Sequence, residues 1–167
     1  MITIRFPHVV LIAEKVLVHM ISFVIPFAIN LIVLLLYGIP FTAWSVLFPL
    51  TLIPLLFVGV GLGLLVSLMR VVAVDLAMLV DKMVGFLMFL TPVIYAPKVS
   101  LPILATVVSY NPLTYLIGFS RDLLTAGTFF SPMTYLWVSL GSVLFLGFGF
   151  WAFTKFERKL VERMINV

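Results

Sequence analysis

Apolar residues run for long stretches along this chain, and the breaks between those stretches define its elements. No Asp, Glu, Lys or Arg occurs between Lys15 and Arg70, an interval that accommodates two spans of the roughly 20 apolar residues a hydrocarbon core requires. The turn signal Tyr37-Gly38-Ile39-Pro40 divides it, so a first helix is predicted near Val16–Tyr37 and a second near Trp44–Met69. Pro26, Pro49 and Pro54 fall inside these spans and are expected to kink them without breaking the chain of helix, because neighbouring groups can satisfy the carbonyls that proline leaves free. A third span is predicted near Met78–Ala96 and a fourth near Pro132–Phe153.

The segment from Val99 to Ser120 is uncharged and nearly long enough to cross, but Asn111-Pro112 sits at its centre. Proline has no amide to donate, and it pushes the residue before it away from helical geometry, so a continuous helix is disfavoured there. A crossing would also place the basic C-terminal tail outside, against the preference of Lys and Arg for the cytoplasmic side. A re-entrant pair of short helices instead keeps Arg5, Lys15, Arg70, Lys82, Lys155, Arg158, Lys159 and Arg163 inside, leaving Lys98 and Arg121 outside. Non-helical backbone at membrane depth survives only where protein or water covers it, so this arrangement implies a cavity or pathway beside the pair.

Composition narrows the class further. Of 167 residues, 64% are hydrophobic and 10% charged, against roughly 45–50% and about 25% in an ordinary soluble domain. The fold class expected is therefore all-α integral membrane: about four transmembrane helices, a re-entrant outer helix pair, and short interfacial helices at both ends. One membrane domain, residues 1–167, accounts for the whole chain. Residues 1–15 mix Arg5, His8, Glu14 and Lys15 with apolar residues and read as a surface helix. Phe153, Phe156, Leu160 and Met164 recur at helical spacing in the basic tail, as in an interfacial helix that extends the last span. The net charge of +4 owes much to Lys155, Arg158, Lys159 and Arg163, a pattern of a cytoplasmic membrane surface rather than a nucleic-acid site. With no cysteine and two histidines, His8 and His19, the sequence offers no disulfide, thiolate or metal cage.

Few motifs carry chemistry. Gly59-Val60-Gly61-Leu62-Gly63 lies within an apolar span, with no preceding strand and no acidic residue about twenty positions on, which argues against a dinucleotide fingerprint. Gly59 and Gly63 instead form a small-residue face suited to close helix packing. His19 near the start of an apolar helix reads as a packing histidine. Arg70, Asp75, Asp81 and Lys82 cluster between the second and third spans, either as a solvated turn with a local ion pair or as a docking loop for a soluble partner. Arg121-Asp122 is a surface ion pair, an anchor for the outer helices, or a contact for anionic cargo. No phosphate loop is present, so any use of ATP requires another chain.

Four ordered stretches resemble the permease subunit of type-2 ABC exporters, in particular the branch exporting O-antigen, capsular polysaccharide and teichoic acid. These are Arg5-Phe6-Pro7-His8-Val9-Val10; Arg70 to Leu76; Thr91-Pro92-Val93-Ile94-Tyr95; and Asn111-Pro112-Leu113-Thr114 followed by Arg121-Asp122-Leu123-Leu124 and Gly127. The resemblance implies coupling to an ATPase through Arg5, Phe6, Pro7, His8, Arg70 and Asp75. It implies an outer gate built from Pro92, Tyr95, Asn111, Pro112, Arg121 and Asp122. His8 and Val74 stand where the family usually has arginine. The resemblance implies that the chain is similar to the C-terminal two-thirds of such a permease, without the amphipathic helix and two further spans expected before it.

The function expected on this basis is that of a permease component of an ATP-driven exporter. It would move a lipid-linked polysaccharide or similar amphipathic cargo out through the inner (cytoplasmic) membrane, with both termini cytoplasmic. No covalent chemistry and no cofactor of its own are implied; ATP and Mg would be bound by an ATP-binding cassette subunit. The further partners implied are a second copy of the chain, the lipid bilayer and the cargo, with no nucleic acid. The alternatives are a drug, lipid or heme exporter of the same superfamily, and a four-span assembly or regulatory subunit that transports nothing. A proton-coupled transporter fits less well, since no acidic residue lies deep in a span and no inverted repeat is visible.

Overall fold

A computed structural model describes residues 8–39, 41–72, 74–91 and 102–165. The chain is an all-α membrane-type protein, 89% helical and with no strand among the described residues. It divides after Pro40 into two units.

The first unit is a single helix, α1 (His8–Leu36), which passes through Pro26 without ending. Its segment Ile12–Leu36 is long and apolar enough to cross a membrane. Gly38, at φ +70°, closes it. The Gly38 amide donates to the Leu35 carbonyl and the Ile39 amide to that of Leu34, each at 3.0 Å. This is the doubly bonded left-handed cap that only glycine adopts without steric cost.

The second unit begins with a short 3-10 helix (Ala43–Leu47), followed by α2 (Phe48–Thr51), α3 (Ile53–Val72), α4 (Val74–Leu90), α5 (Pro102–Tyr110), α6 (Pro112–Thr125) and α7 (Pro132–Ile165). Ala43–Arg70 and Pro132–Phe156 are both apolar and long enough to span. The predicted second span exists, but it is not the kinked single helix expected from its prolines. It is in three pieces, with Pro49 and Pro54 each in the first turn of a new piece, where a missing amide costs nothing. The third span is represented by the 17 residues of α4; its expected continuation to Ala96 lies outside the described residues.

The largest interface in this unit joins α3 to α7. Gly61 and Gly149 make it possible. A methyl group on Gly149 would stand 3.0 Å from the Gly61 carbonyl oxygen, and one on Gly61 would stand 2.8 Å from the Phe145 ring. Gly59 and Gly63 have nothing within 4 Å of such a methyl. The close-packing glycine of that run is therefore Gly61, on the opposite register from the Gly59–Gly63 face expected. Sequence spacing shows which glycines share a face but not which face meets a neighbour.

The two helices run in the same direction. Tyr135, at the start of α7, donates its hydroxyl to the Thr51 carbonyl just before α3, and ten residues further along each chain Gly61 meets Phe145 and Leu146. Their common register fixes what lies between them. A single residue separates α3 from α4, and Arg70 reaches across that turn to Asp81 at 2.5 Å, so α4 runs back toward the end where α3 began. The next span, α7, starts at that end again. The intervening α5 and α6 therefore leave and return to one end without crossing. They are bent by 82° at Asn111. The break falls where Asn111-Pro112 predicts it, and the two helices meet near a right angle.

α7 continues unbroken through Ile165, 34 residues, or about 51 Å at 1.5 Å per residue, so the tail extends the last span as expected. Lys155 places its ammonium 4.6 Å from the centre of the Trp151 ring, a cation–π contact suited to the boundary between apolar core and headgroups.

Gly149→Ala is expected to lower the thermal stability of the purified protein in detergent by about 1–3 kcal/mol, the usual cost of overpacking. Gly63→Ala, with open space around it, is expected to be neutral or to stabilise by up to about 1 kcal/mol, the helix-propensity difference. Equal effects at the two positions would contradict the packing described.

Candidate functional site

The break between α5 and α6 is held by one side chain. Asn111 caps α6, its Oδ1 accepting from the Leu113 amide at 3.0 Å, with Pro112 at the first helical position. Its Nδ2 donates to Thr91 Oγ1 at 2.9 Å and to the Leu90 carbonyl at 3.3 Å. One amide thus satisfies both the start of α6 and the exposed end of α4. Thr91 is almost completely buried, so its end of the bond is shielded from water, while Asn111 itself is partly exposed. Tyr115 closes the corner by donating its hydroxyl to the Ser109 carbonyl at the end of α5, at 2.8 Å.

α6 is the most buried helix of the unit, with Thr114, Leu116, Gly118, Phe119, Ser120, Leu123 and Leu124 inside. Its far end is finished by another element. Ser45 Oγ lies 3.4 and 3.2 Å from the Leu123 and Leu124 carbonyls, which a helix terminus leaves without intrahelical partners. Gly127, at φ +63°, ends the turn, and a Cβ there would collide with the Thr42 side chain. The middle of α6 is tied to the broken span: the Thr51 carbonyl accepts from Ser120 Oγ at 3.3 Å and from the Tyr135 hydroxyl at 3.1 Å. Phe119 stacks on Tyr135 with ring centres 4.0 Å apart. Trp44 and Phe129 meet edge to face next to it, at 5.4 Å.

Arg121 and Asp122 form an ion pair at 3.0 Å on α6, partly buried. Asn111, Pro112, Arg121 and Asp122 thus share one helix and its cap. Pro92 and Tyr95 lie outside the described residues. Tyr110 is largely exposed.

The second expected cluster lies at the other end of the unit. Arg70 lies in the last turn of α3 and Asp75 in the first turn of α4, each with the sign that favours its helix terminus. Asp81 and Lys82 are not in the turn, as the sequence suggested, but on the third turn of α4, where Asp81 pairs with Arg70. With about 60% and 50% of the two side chains exposed, the pair contributes little to stability. Arg5, Phe6 and Pro7 lie outside the described residues, and of His8 only the backbone at the start of α1 is described. Among the described residues no group of three acidic or histidine side chains is placed to hold a metal.

Sequence reasoning did not single out Ser45, Thr51, Ser120 or Tyr135. The signal was available in part, because Pro49 and Pro54 must free carbonyls and an apolar span supplies few hydroxyls to satisfy them. Their pairing across 69 to 84 positions was not.

Asn111→Ala is expected to destabilise the protein by about 1–2 kcal/mol through loss of the cap, measured by thermal unfolding in detergent. Asn111→Asp keeps the cap oxygen but cannot donate to Thr91 and Leu90, so it is expected to recover only part of that loss. Full recovery by aspartate would show that the α4 contacts contribute nothing.

Compared with models of protein families and with curated proteins, the chain matches none.

Proposed function

We propose that this chain is a permease component of an ATP-driven exporter, with α5 and α6 forming a gate at the outer end. The observation that carries the reading is the α5–α6 pair itself: broken, non-crossing, and fastened by buried polar contacts beside the spans. Such backbone at membrane depth needs protein or water around it and is found beside pathways. The ordered family-like stretches supply the exporter class, and the absence of a phosphate loop from the sequence assigns ATP and Mg to a separate ATP-binding cassette subunit. The cargo proposed is a lipid-linked glycan or similar amphipathic molecule, and the working form a pair of copies.

Charge supports the orientation. The end carrying Arg70, Lys82, Lys155 and the basic tail faces the cytoplasm in this reading, and Arg121 faces outside. Tyr135 and Lys155 are separated by 20 residues of α7, about 30 Å of helix, the thickness of a hydrocarbon core. Closure of the ATPase would push on the segment around Arg5 to His8 and on the α3–α4 turn at Arg70 to Asp75. The rigid α3–α7 pair would then pass that displacement to the gate as a shift between packed arrangements.

Cysteines introduced at Ser100 and Thr128 are expected to react with an impermeant reagent added outside intact cells, and one at Asn166 is not. Labelling at Asn166 alone would invert the orientation. Crosslinking from Phe6 or Val72 to a co-expressed ATP-binding subunit tests the coupling; no crosslink from either, in an assembled complex, would remove it. Replacing both Asn111 and Pro112 by leucine is expected to impair export before assembly with the ATPase. Export left intact in the assembled double variant would contradict the gate.

A further inference from the structure

The outer part of the second span is fastened to α6 as well as continuing into α3. Four contacts bind it to α6 and its exit. Ser45 Oγ donates toward the Leu123 and Leu124 carbonyls, Ser120 Oγ donates to the Thr51 carbonyl, the Thr42 side chain fills the space over Gly127 that any other residue would occupy, and Trp44 meets Phe129. Toward α3 the connection is weak. The Leu52 amide turns back to the Pro49 carbonyl at 3.3 Å, Pro54 has no amide to offer, and regular bonding resumes with the Leu56 amide on the Leu52 carbonyl at 3.0 Å.

A second discontinuity lies on the other side of α6. Ser131 has φ +42°, the only positive value at a non-glycine position among the described residues, and Pro132 follows it as the first residue of α7. The left-handed region costs an ordinary residue about 1–2 kcal/mol, and such strain persists where the surroundings impose it. Both backbone breaks separate the same block, Thr42–Thr51 with α6 and residues 126–130, from the α3–α7 pair.

We propose that this block is a rigid cap that pivots at Leu52 and Ser131, with Tyr135 as the latch holding it against α7. Tyr135 suits the role because it makes two directional contacts from α7 to the cap: its hydroxyl on the Thr51 carbonyl, on one side of the first pivot, and its ring on Phe119. Asn111 tethers the start of α6 to Leu90 and Thr91, so the cap rotates about that corner and does not detach. Releasing the latch leaves the Thr51 carbonyl with a longer contact to Ser120 Oγ at 3.3 Å, whose single proton is shared with the Leu116 carbonyl at 2.8 Å. What the motion does rests on the reading of α5 and α6 as a gate; that it occurs does not.

The test uses spin labels in the chain reconstituted in lipid bilayers, which its lack of cysteine makes straightforward. Labels at Val46 and Ala126 lie within the cap, while Val46 with Leu144, and Ala126 with Leu144, report cap against α7. The Val46–Ala126 distance is expected to be single and narrow in every variant. Tyr135→Phe, which keeps the stacked ring, is expected to shift both cap–α7 distributions together toward a second distance, with a population ratio changed about fivefold, the effect of one net hydrogen bond. Ser120→Ala, which loosens the cap itself, is expected to broaden the Val46–Ala126 distance. The proposal is overturned if the two cap–α7 distances change independently, or if Tyr135→Phe leaves both unchanged. Distances read the motion alone, whereas an exporter reading that is wrong would show in the crosslinking to an ATPase.

Discussion

Every backbone carbonyl left open at a helix break or helix end inside an apolar span must find a donor, and the second unit is organised by how those needs are met. Water is absent from a hydrocarbon core, so an unsatisfied group there costs several kcal/mol. The break at Leu52 and the ends of α4 and α6 leave such carbonyls. Hydroxyls and one amide donate to them from elsewhere in the chain: Ser120 and Tyr135 on Thr51, Ser45 on the end of α6, and Asn111 on the end of α4. Each bond is individually modest. Together they decide that α6 packs against the broken end of the second span and that α7 starts beside Thr51.

That placement has a topological consequence. Because α3 and α7 run the same way, with one return through α4, the segment between α4 and α7 cannot cross. The glycine contact between Gly61 and Gly149 then sets how closely the two long helices approach. A rigid parallel pair and a polar, interrupted cap at one end form a natural division between a part that transmits displacement and a part that responds to it.

The sequence showed the elements more clearly than their contacts. Uninterrupted apolar runs and the Tyr37-Gly38-Ile39-Pro40 signal located the spans within a few residues, since hydrocarbon thickness and glycine caps are local constraints. Asn111-Pro112 marked the break between α5 and α6 for the same reason. Gly61 could not be distinguished from Gly59 and Gly63, because the choice of face depends on Gly149, 88 positions away. The role of Tyr135 was illegible, since a tyrosine at the head of an apolar helix also reads as an interfacial anchor. Asp81 was misplaced because nothing in its surroundings marks where α4 begins.

The parallel course of α3 and α7 supports the topology, the gate and the cap alike. It is tested by fixing one cysteine at Thr51 and walking a second along α7 in a chain with no cysteine of its own, then oxidising in native membranes. Disulfide formation is expected at position 135 and not near position 154. Crosslinking near 154 without any at 135 would mean that the helices are antiparallel, and α5 with α6 would then cross the membrane.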